Sequence, residues 1–125
     1  MDLILRSAGS ADEKWVYDLA RERHTDLSVE SHREWWRLHQ GESLVAHSDG
    51  PAVGHVRIDA DNEVHITVAS TARGQGIGTA MLRRVRRPGL WARVHDSNEA
   101  SQRAFARAGW HFAGDLDGFQ LWRSS

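Results

Sequence analysis

Hydrophobic and polar residues alternate with a period of two in some segments of the chain and recur every three or four residues in others. The first pattern is typical of half-buried strands and the second of amphipathic helices. Strands are predicted at 2–7, 43–47, 52–59, 63–68, 90–95, 110–114 and 119–123. Helices are predicted at 10–23, 30–40, 77–87 and 98–108. The order β-α-α-β-β-β-α-β-α-β-β predicts an α/β fold of the α+β kind with a mixed sheet, in one domain over 1–125.

Residues at the ends of these segments carry helix-boundary signals. Ser10 is followed three residues later by Glu13, which predicts a capping box at the start of the first helix. Asn98 is a typical N-cap, and Gly109 is a typical residue just past a helix C-terminus. These signals support four separate helices.

The composition is that of a soluble globular domain. Of 125 residues, 40% are hydrophobic, and the formal net charge is −1. This balance disfavours a general electrostatic attraction to nucleic acid or to an anionic membrane. The chain contains no cysteine, which excludes disulfides and a thiol nucleophile. Neither a membrane-spanning run nor a signal-peptide pattern is found, so we expect a cytoplasmic location.

A glycine-rich loop joins the strand at 63–68 to the helix at 77–87. Its glycines stand at 74, 76 and 78, and glycine allows the backbone to approach a ligand closely. A helix N-terminus behind such a loop presents unpaired N–H groups and a favourable dipole to an anion. The segment therefore predicts a site for a cofactor that contains pyrophosphate.

Three kinds of glycine motif could explain this loop. A P-loop is excluded because the segment has no lysine, and a dinucleotide fingerprint fits poorly because its third glycine comes one residue early. The segment 73–78, Arg-Gly-Gln-Gly-Ile-Gly, fits R/Q-x-x-G-x-G/A in full. This resembles the acyl-CoA loop of GCN5-related N-acetyltransferases, the GNAT superfamily. Segments 98–110 and 49–57 resemble that family's second motif and its central hairpin, so the likeness covers roughly 43 to 123.

The resemblance implies a sheet that splays apart at the cofactor, acetyl-CoA. The backbone N–H groups of the loop would face the pyrophosphate and Arg73 would add charge, while the Val68 backbone would pair with the pantetheine arm. Asn98 would contact the arm from the other side, although a plain N-cap is an equal alternative. The implied cofactor-binding residues are Val68, Arg73, Gly74, Gln75, Gly76, Ile77, Gly78, Thr79, Asn98 and Phe105.

Candidate bases lie on the central strands, where the resemblance implies that family members carry one. Alternation places Glu63, His65 and Thr67 on one face, and His55 with Arg57 on a face of the preceding strand. The order of preference is Glu63, His65, His55, against the alternative that each is an ordinary strand residue. The histidines show no convincing metal-ligand spacing, so no metal is expected.

This chain differs from the family pattern at the residue that would donate a proton to the thiolate leaving group. The resemblance implies a tyrosine where this chain has Phe105, which cannot donate a proton. A water molecule, Ser97 or Ser101 would then assist, or the thiolate would leave unassisted.

Segment 21–36 resembles acetyltransferases that act on amino groups of nucleotide-linked sugars. Arg21, Arg23 and Arg33 would meet a diphosphate, and Trp35 or Trp36 would stack on a base or sugar. Core packing of the tryptophans is the alternative, and at least one should be buried because they lie about 100° apart on a helix. Other small amines, peptide N-termini and lysine side chains stay open as acceptors.

The sequence thus predicts an acetyl-CoA-dependent N-acetyltransferase acting on a primary amine of a small molecule. Alternatives are a catalytically weak acyl-CoA-binding module and an enzyme acting on a protein or peptide amine. Nucleic-acid and membrane partners are not expected, and a homodimer that completes the acceptor site is left open. The arginine-rich segment 83–87 is expected to complement the helix dipole, with contact to the cofactor's 3′-phosphate as an alternative.

Overall fold

A computed structural model describes residues 2–125, and its elements follow the predicted order. The strands are β1 (Leu3–Ser7), β2 (Ser43–Ser48), β3 (Ala52–Ile58), β4 (Val64–Val68), β5 (Trp91–His95), β6 (His111–Leu116) and β7 (Phe119–Arg123). The helices are α1 (Glu13–Arg21), α2 (Val29–His39), α3 (Ile77–Val85) and α4 (Glu99–Arg107). Every predicted element is present, and only the ends differ. The predicted domain also includes Met1, which lies outside the described residues.

The start of the first helix differs from the predicted capping box. Ser10–Asp12 forms a 3-10 turn, and α1 begins only at Glu13. The Gly9 N–H donates to Asp12 Oδ2 at 2.8 Å, so Asp12 takes the role predicted for Glu13. The guanidinium of Arg6 holds the Asp12 carboxylate in the position where it accepts the Gly9 N–H, with N–O distances of 2.8 and 2.7 Å.

The strands form two antiparallel sheets, with orders β1-β2-β3-β4 and β5-β7-β6. Within residues 2–125 a single parallel bridge, between Glu63 and Trp91, joins them. The Trp91 N–H donates to the Asn62 carbonyl oxygen at 3.1 Å beside this bridge. Beyond it, β4 and β5 no longer pair and a cavity opens between them. The predicted mixed sheet is therefore present as two sheets that splay apart.

The main core lies between the sheets and helices α3 and α4. Val56, Met81, Leu82 and Phe105 are buried there, and α3 packs across β1, β3 and β4. Burial of this apolar surface fixes the position of the loop that precedes α3. On the other face, α1 and α2 cover β3 and β4 less tightly and leave cavities. Over the described residues, no helix is long and apolar enough to cross a membrane.

Candidate active site

The glycine loop forms an anion cradle at the start of α3. Gly74 and Gly76 both have φ of 78°, in the left-handed region that favours glycine, and Gly76 is the N-cap of the helix. The first helical hydrogen bond runs from the Ala80 N–H to the Gly76 carbonyl oxygen, at 3.0 Å. The N–H groups of the first turn therefore have no partner within the helix, and no side chain caps them. This arrangement suits an anionic ligand.

A cavity of about 540 Å³ lies against this cradle, and we refer to it as the loop cavity. Its lining includes Val68, Arg73, Gly74, Gly76, Ile77, Gly78, Thr79 and Asn98, all predicted cofactor-binding residues. Gln75 is exposed and does not line it, and Phe105 lines the neighbouring cavity instead. Gln75 would act through its backbone alone.

Arginine side chains give the loop cavity a positive potential. Arg23, Arg73, Arg103 and Arg107 line it, against one carboxylate, that of Glu22. Glu22 accepts a hydrogen bond from the Ser70 N–H at 3.1 Å and lies 3.8 Å from Arg73. Unpaired N–H groups, left-handed glycines and converging cations are together what a pyrophosphate requires, so the residues present fit acetyl-CoA.

The arginines at the end of α3 do not support the predicted contact with the 3′-phosphate. Arg83 donates to the carbonyl oxygen of Arg107 at 2.9 Å, and Arg84 to that of Leu3 at 2.9 Å. Arg86 bonds the Ala108 carbonyl oxygen, at 3.1 Å. These side chains tie α3 to α4 and β1, and none of them lines the loop cavity.

A second cavity, the central cavity of about 380 Å³, lies between the splayed strands β4 and β5. Asn98 and Ser101 line both it and the loop cavity, so the two are neighbours. The Asn98 side chain accepts the Ser101 N–H at 3.1 Å, which confirms its role as an N-cap. Phe105 closes the inner end and packs edge-on against Trp110, with ring centroids 5.0 Å apart.

A third cavity, the histidine cavity of about 490 Å³, lies between helices α1 and α2 and strands β3 and β4. It shares Leu19, Ala20, His24, His65 and Thr67 with the central cavity. His55 lines it as well, so two of the three candidate bases face one space. The three cavities therefore adjoin one another in a series from the glycine loop to these histidines.

Glu63 is not part of either cavity. It stands just before β4, is 7% exposed, and forms a two-pronged ion pair with Arg93, with N–O distances of 3.0 and 3.1 Å. The alternation predicts Glu63 beside His65, and the two side chains do lie close, with Glu63 Oε1 3.9 Å from His65 Nε2. Its carboxylate is committed to the guanidinium of Arg93.

His65 is oriented by Asp59. His65 Nε2 lies 3.1 Å from Asp59 Oδ2, while Asp59 Oδ1 accepts the N–H groups of Asp61 and Glu63 at 2.9 and 3.0 Å. Burial opposes ionisation of Asp59, but the bonds from His65 and the backbone outweigh it and hold the pKa of Asp59 below its usual range. An imidazole that donates Nε2–H to a carboxylate keeps Nδ1 as a free acceptor.

His55 is buried and electrically neutral at physiological pH. Its Nε2 lies 2.9 Å from Ser43 Oγ, and both residues are buried. Burial, followed by the charge of Arg57 and the neighbouring histidines, lowers the pKa of His55 to about 4. Such a weak base is better suited to holding the cavity wall than to taking a proton from an amine.

The segment that resembles sugar-nucleotide enzymes does not bring its arginines together. Arg21 donates to the Thr25 carbonyl oxygen at 2.8 Å, and Arg33 lines a separate hollow between α1 and α2. Trp36 is 3% exposed, which confirms that at least one of the paired tryptophans is buried. Trp35 lines the histidine cavity, and the guanidinium carbon of Arg57 lies 5.5 Å from the centroid of the Trp35 ring.

Two residues of the site were missed by sequence reasoning. Asp59 was predicted as the last residue of the strand at 52–59, and its contact with His65 depends on the β3–β4 hairpin. The six-residue separation of Asp59 and His65 across that hairpin was the available signal. Arg93 pairs with Glu63 across the two sheets, thirty residues apart in the chain, and no local pattern indicates it.

Comparisons with known proteins agree with this geometry. The model of the acetyltransferase (GNAT) family matches residues 11–110. Among curated proteins, none matches the chain.

Solved structures share the fold at low sequence identity. One is a spermidine N-acetyltransferase from Vibrio cholerae in complex with CoA and spermine, with TM-score 0.73 and 15% identity, covering 97% of this chain and 92% of that chain. Another is a ribosomal-protein-alanine N-acetyltransferase from Brucella melitensis, with TM-score 0.73 and 22% identity, covering 95% of this chain and 96% of that chain. The family match covers most of the sequence, and the chain therefore belongs to the acetyltransferase (GNAT) family, whose cofactor is acetyl-CoA.

Proposed function

We propose that this chain transfers the acetyl group of acetyl-CoA to the primary amine of a small molecule. The observation that carries the proposal is the series of adjoining cavities from the cationic glycine loop, through the gap between β4 and β5, to His65. The cofactor supplies an acetyl group activated as a thioester. The protein contributes the cradle, the gap and a base beside the acceptor.

The loop and the splayed strands hold the reactants. The N–H groups before α3 and the arginines of the loop cavity bind the pyrophosphate, and the unpaired edge of β4 near Val68 aligns the arm. Alignment of amine and acetyl carbon in one enclosed space supplies up to about 7–11 kcal/mol of the barrier reduction.

His65 is the proposed base, through Nδ1. The amine nitrogen bonds to the acetyl carbon, the carbon–sulfur bond breaks, and the proton lost by nitrogen balances the one gained by sulfur. Asp59 accepts the Nε2–H of the imidazole and so fixes the ring, which leaves Nδ1 as the free acceptor atom. Ser101, whose side chain lines both the loop and central cavities, is the hydroxyl best located to stabilise the sulfur in place of the tyrosine that Phe105 replaces.

The test is release of free thiol from acetyl-CoA with a panel of amines that includes amino acids, polyamines, amino-sugar nucleotides and peptides. His65→Gln should lower kcat by about 10²–10⁴-fold and remove the base from the pH–rate profile. His111→Gln, at an exposed histidine outside the cavities, should leave both unchanged. Equal kcat for His65→Gln and the wild type would contradict the assignment of the base.

A second candidate function, a catalytically weak acyl-CoA-binding module, is favoured by Phe105. Acetyl-CoA binding without thiol release on any amine would support the module and contradict the transferase.

A further inference from the structure

We infer that the acceptor is an amine that also carries a carboxylate on an apolar body, in the manner of an apolar amino acid. The inference rests on the proposed function and names the substrate class of that site. It is carried by the histidine cavity, which is lined by the proposed base and combines one arginine with several apolar side chains.

The acceptor side of the active site offers no negative charge to a ligand. In the part of the chain that the structure describes, no aspartate or glutamate lines either the central or the histidine cavity. Three carboxylates contact lining residues from behind the wall, where Glu63 pairs with Arg93, Glu42 with Arg57, and Asp59 bonds His65. An acceptor with a second ammonium group would be desolvated there with no carboxylate in the cavity lining, which is costly.

Arg57 lines the histidine cavity but not the central cavity, and it is placed to bind an anion there. Its Nη1 donates to Glu42 Oε1 at 3.1 Å, and its guanidinium carbon lies over the Trp35 ring, 5.5 Å from the ring centroid. A guanidinium has five N–H donors, and this pairing uses one of them. The aromatic ring and Glu42 hold the planar fork in place, so its remaining donors are pre-organised for a carboxylate.

Apolar side chains form part of the wall. Val16, Leu19, Leu27 and Trp35 line the cavity together with its histidines and Arg57. An acceptor with its amine at His65 and its carboxylate at Arg57 would lay an aliphatic or aromatic side chain against this wall. Burial of that side chain contributes about 25 cal/mol per Å² of apolar surface.

A diphosphate is a weaker match than a carboxylate. It would need several converging cations, but Arg21 bonds Thr25 and Arg33 lines a separate hollow. Arg57 is left as the one arginine of the histidine cavity, with part of its charge offset by Glu42. One two-pronged pair with a carboxylate fits this donor set.

The test uses matched sets of amines with the full chain and acetyl-CoA. L-phenylalanine is compared with phenylalaninamide and phenethylamine, and L-leucine with leucinamide and isoamylamine; spermidine and an amino-sugar nucleotide complete the panel. The carboxylate-bearing member of each set should show kcat/KM higher by about 10- to 100-fold, the range for a charge-assisted hydrogen bond. Arg57→Gln should remove this preference, and Arg57→Lys should restore part of it. Arg37→Gln changes an exposed arginine paired with Glu34 and should leave the preference intact.

Product binding gives a readout that does not depend on turnover. Calorimetry should show N-acetyl-L-phenylalanine binding to the wild type more tightly than N-acetylphenethylamine. The two products should bind Arg57→Gln equally tightly, provided that circular dichroism shows the variant to be folded. Preference for spermidine, the amino-sugar nucleotide or the uncharged amines would overturn the inference and leave the transferase standing. Thiol release with no member of the panel would overturn the inference and the transferase together, and acetyl-CoA binding in that case would support the acyl-CoA-binding module.

Discussion

The buried His55 makes a quantitative prediction about the dependence of stability on pH. Its pKa lies at about 4 in the folded chain because burial disfavours the charged imidazole, against an ordinary value of 6.5. Above pH 6.5 the side chain is neutral in both states. Between pH 6.5 and 4 the unfolded chain binds a proton that the folded chain does not, so stability is lost as the pH falls.

The size of the loss follows from the two pKa values. A pKa unit is worth about 1.4 kcal/mol, so the fall from 6.5 to about 4 corresponds to about 3.5 kcal/mol in full, of which about 3 kcal/mol is lost by pH 4. Replacement of His55 by Gln retains a group able to hydrogen-bond Ser43 and removes the titration. The variant should therefore lack about 3 kcal/mol of the acid-induced loss.

Urea unfolding followed by circular dichroism at several pH values between 4 and 7.5 measures this difference directly. His111→Gln, at an exposed position, is the matched control and should retain the wild-type slope. An identical slope for His55→Gln and the wild type would refute the reasoning, because it would mean that burial does not shift the titration of His55.

Three further predictions concern packing, catalysis and charge. Gly54→Ala would place a Cβ 2.7 Å from Met81 Sδ, so unfolding free energy should fall by about 1–3 kcal/mol; chemical denaturation equal to that of the wild type would contradict this. Phe105→Tyr adds a hydroxyl at the central cavity and should raise kcat at least about 10-fold, whereas an unchanged kcat in steady-state thiol release would show that proton donation to sulfur does not limit the rate. Asp12→Asn should cost about 1 kcal/mol after solvent screening, since its guanidinium partner lowers the Asp12 pKa to about 2. That stability is present above about pH 4, so the difference from the wild type in denaturation should shrink as the pH falls towards 2, and a constant difference would argue against the ion pair.

Features encoded by neighbouring residues were predictable from the sequence. The period of the hydrophobic pattern fixed the order of strands and helices, because it reflects which face of each element is buried. The loop at 74–78 was also predictable, since left-handed glycines followed by a helix start form an anion site without help from the rest of the fold. Asn98 likewise caps its own helix.

Features that depend on contacts between distant segments were not predictable. Strand alternation ranked Glu63 first among the bases, but its carboxylate pairs with Arg93 from the second sheet. Asp59 was not predicted as a site residue, because its bond to His65 forms only when the hairpin brings the two residues together. The roles predicted for the arginines of 83–87 rested on their charge alone. In the fold, Arg84 and its neighbours donate hydrogen bonds to backbone carbonyl groups.

The most direct test of the acetyl-CoA site at the glycine loop is calorimetric titration of acetyl-CoA into the wild type and the Gly78→Asp and Gly41→Asp variants. The three atoms nearest to a Cβ at Gly78 belong to Ile66, Val68 and Ala104, at 3.7–3.8 Å, and these residues line the loop cavity, so the added carboxylate enters it without a clash at Cβ. Gly41 has open space around it and lies outside the loop cavity, so its variant adds the same charge elsewhere. We expect binding at least about 10-fold weaker for Gly78→Asp and unchanged for Gly41→Asp, since like charge now faces the pyrophosphate. Equal affinity of the wild type and Gly78→Asp, or no binding to the wild type, would contradict an acetyl-CoA site at this loop.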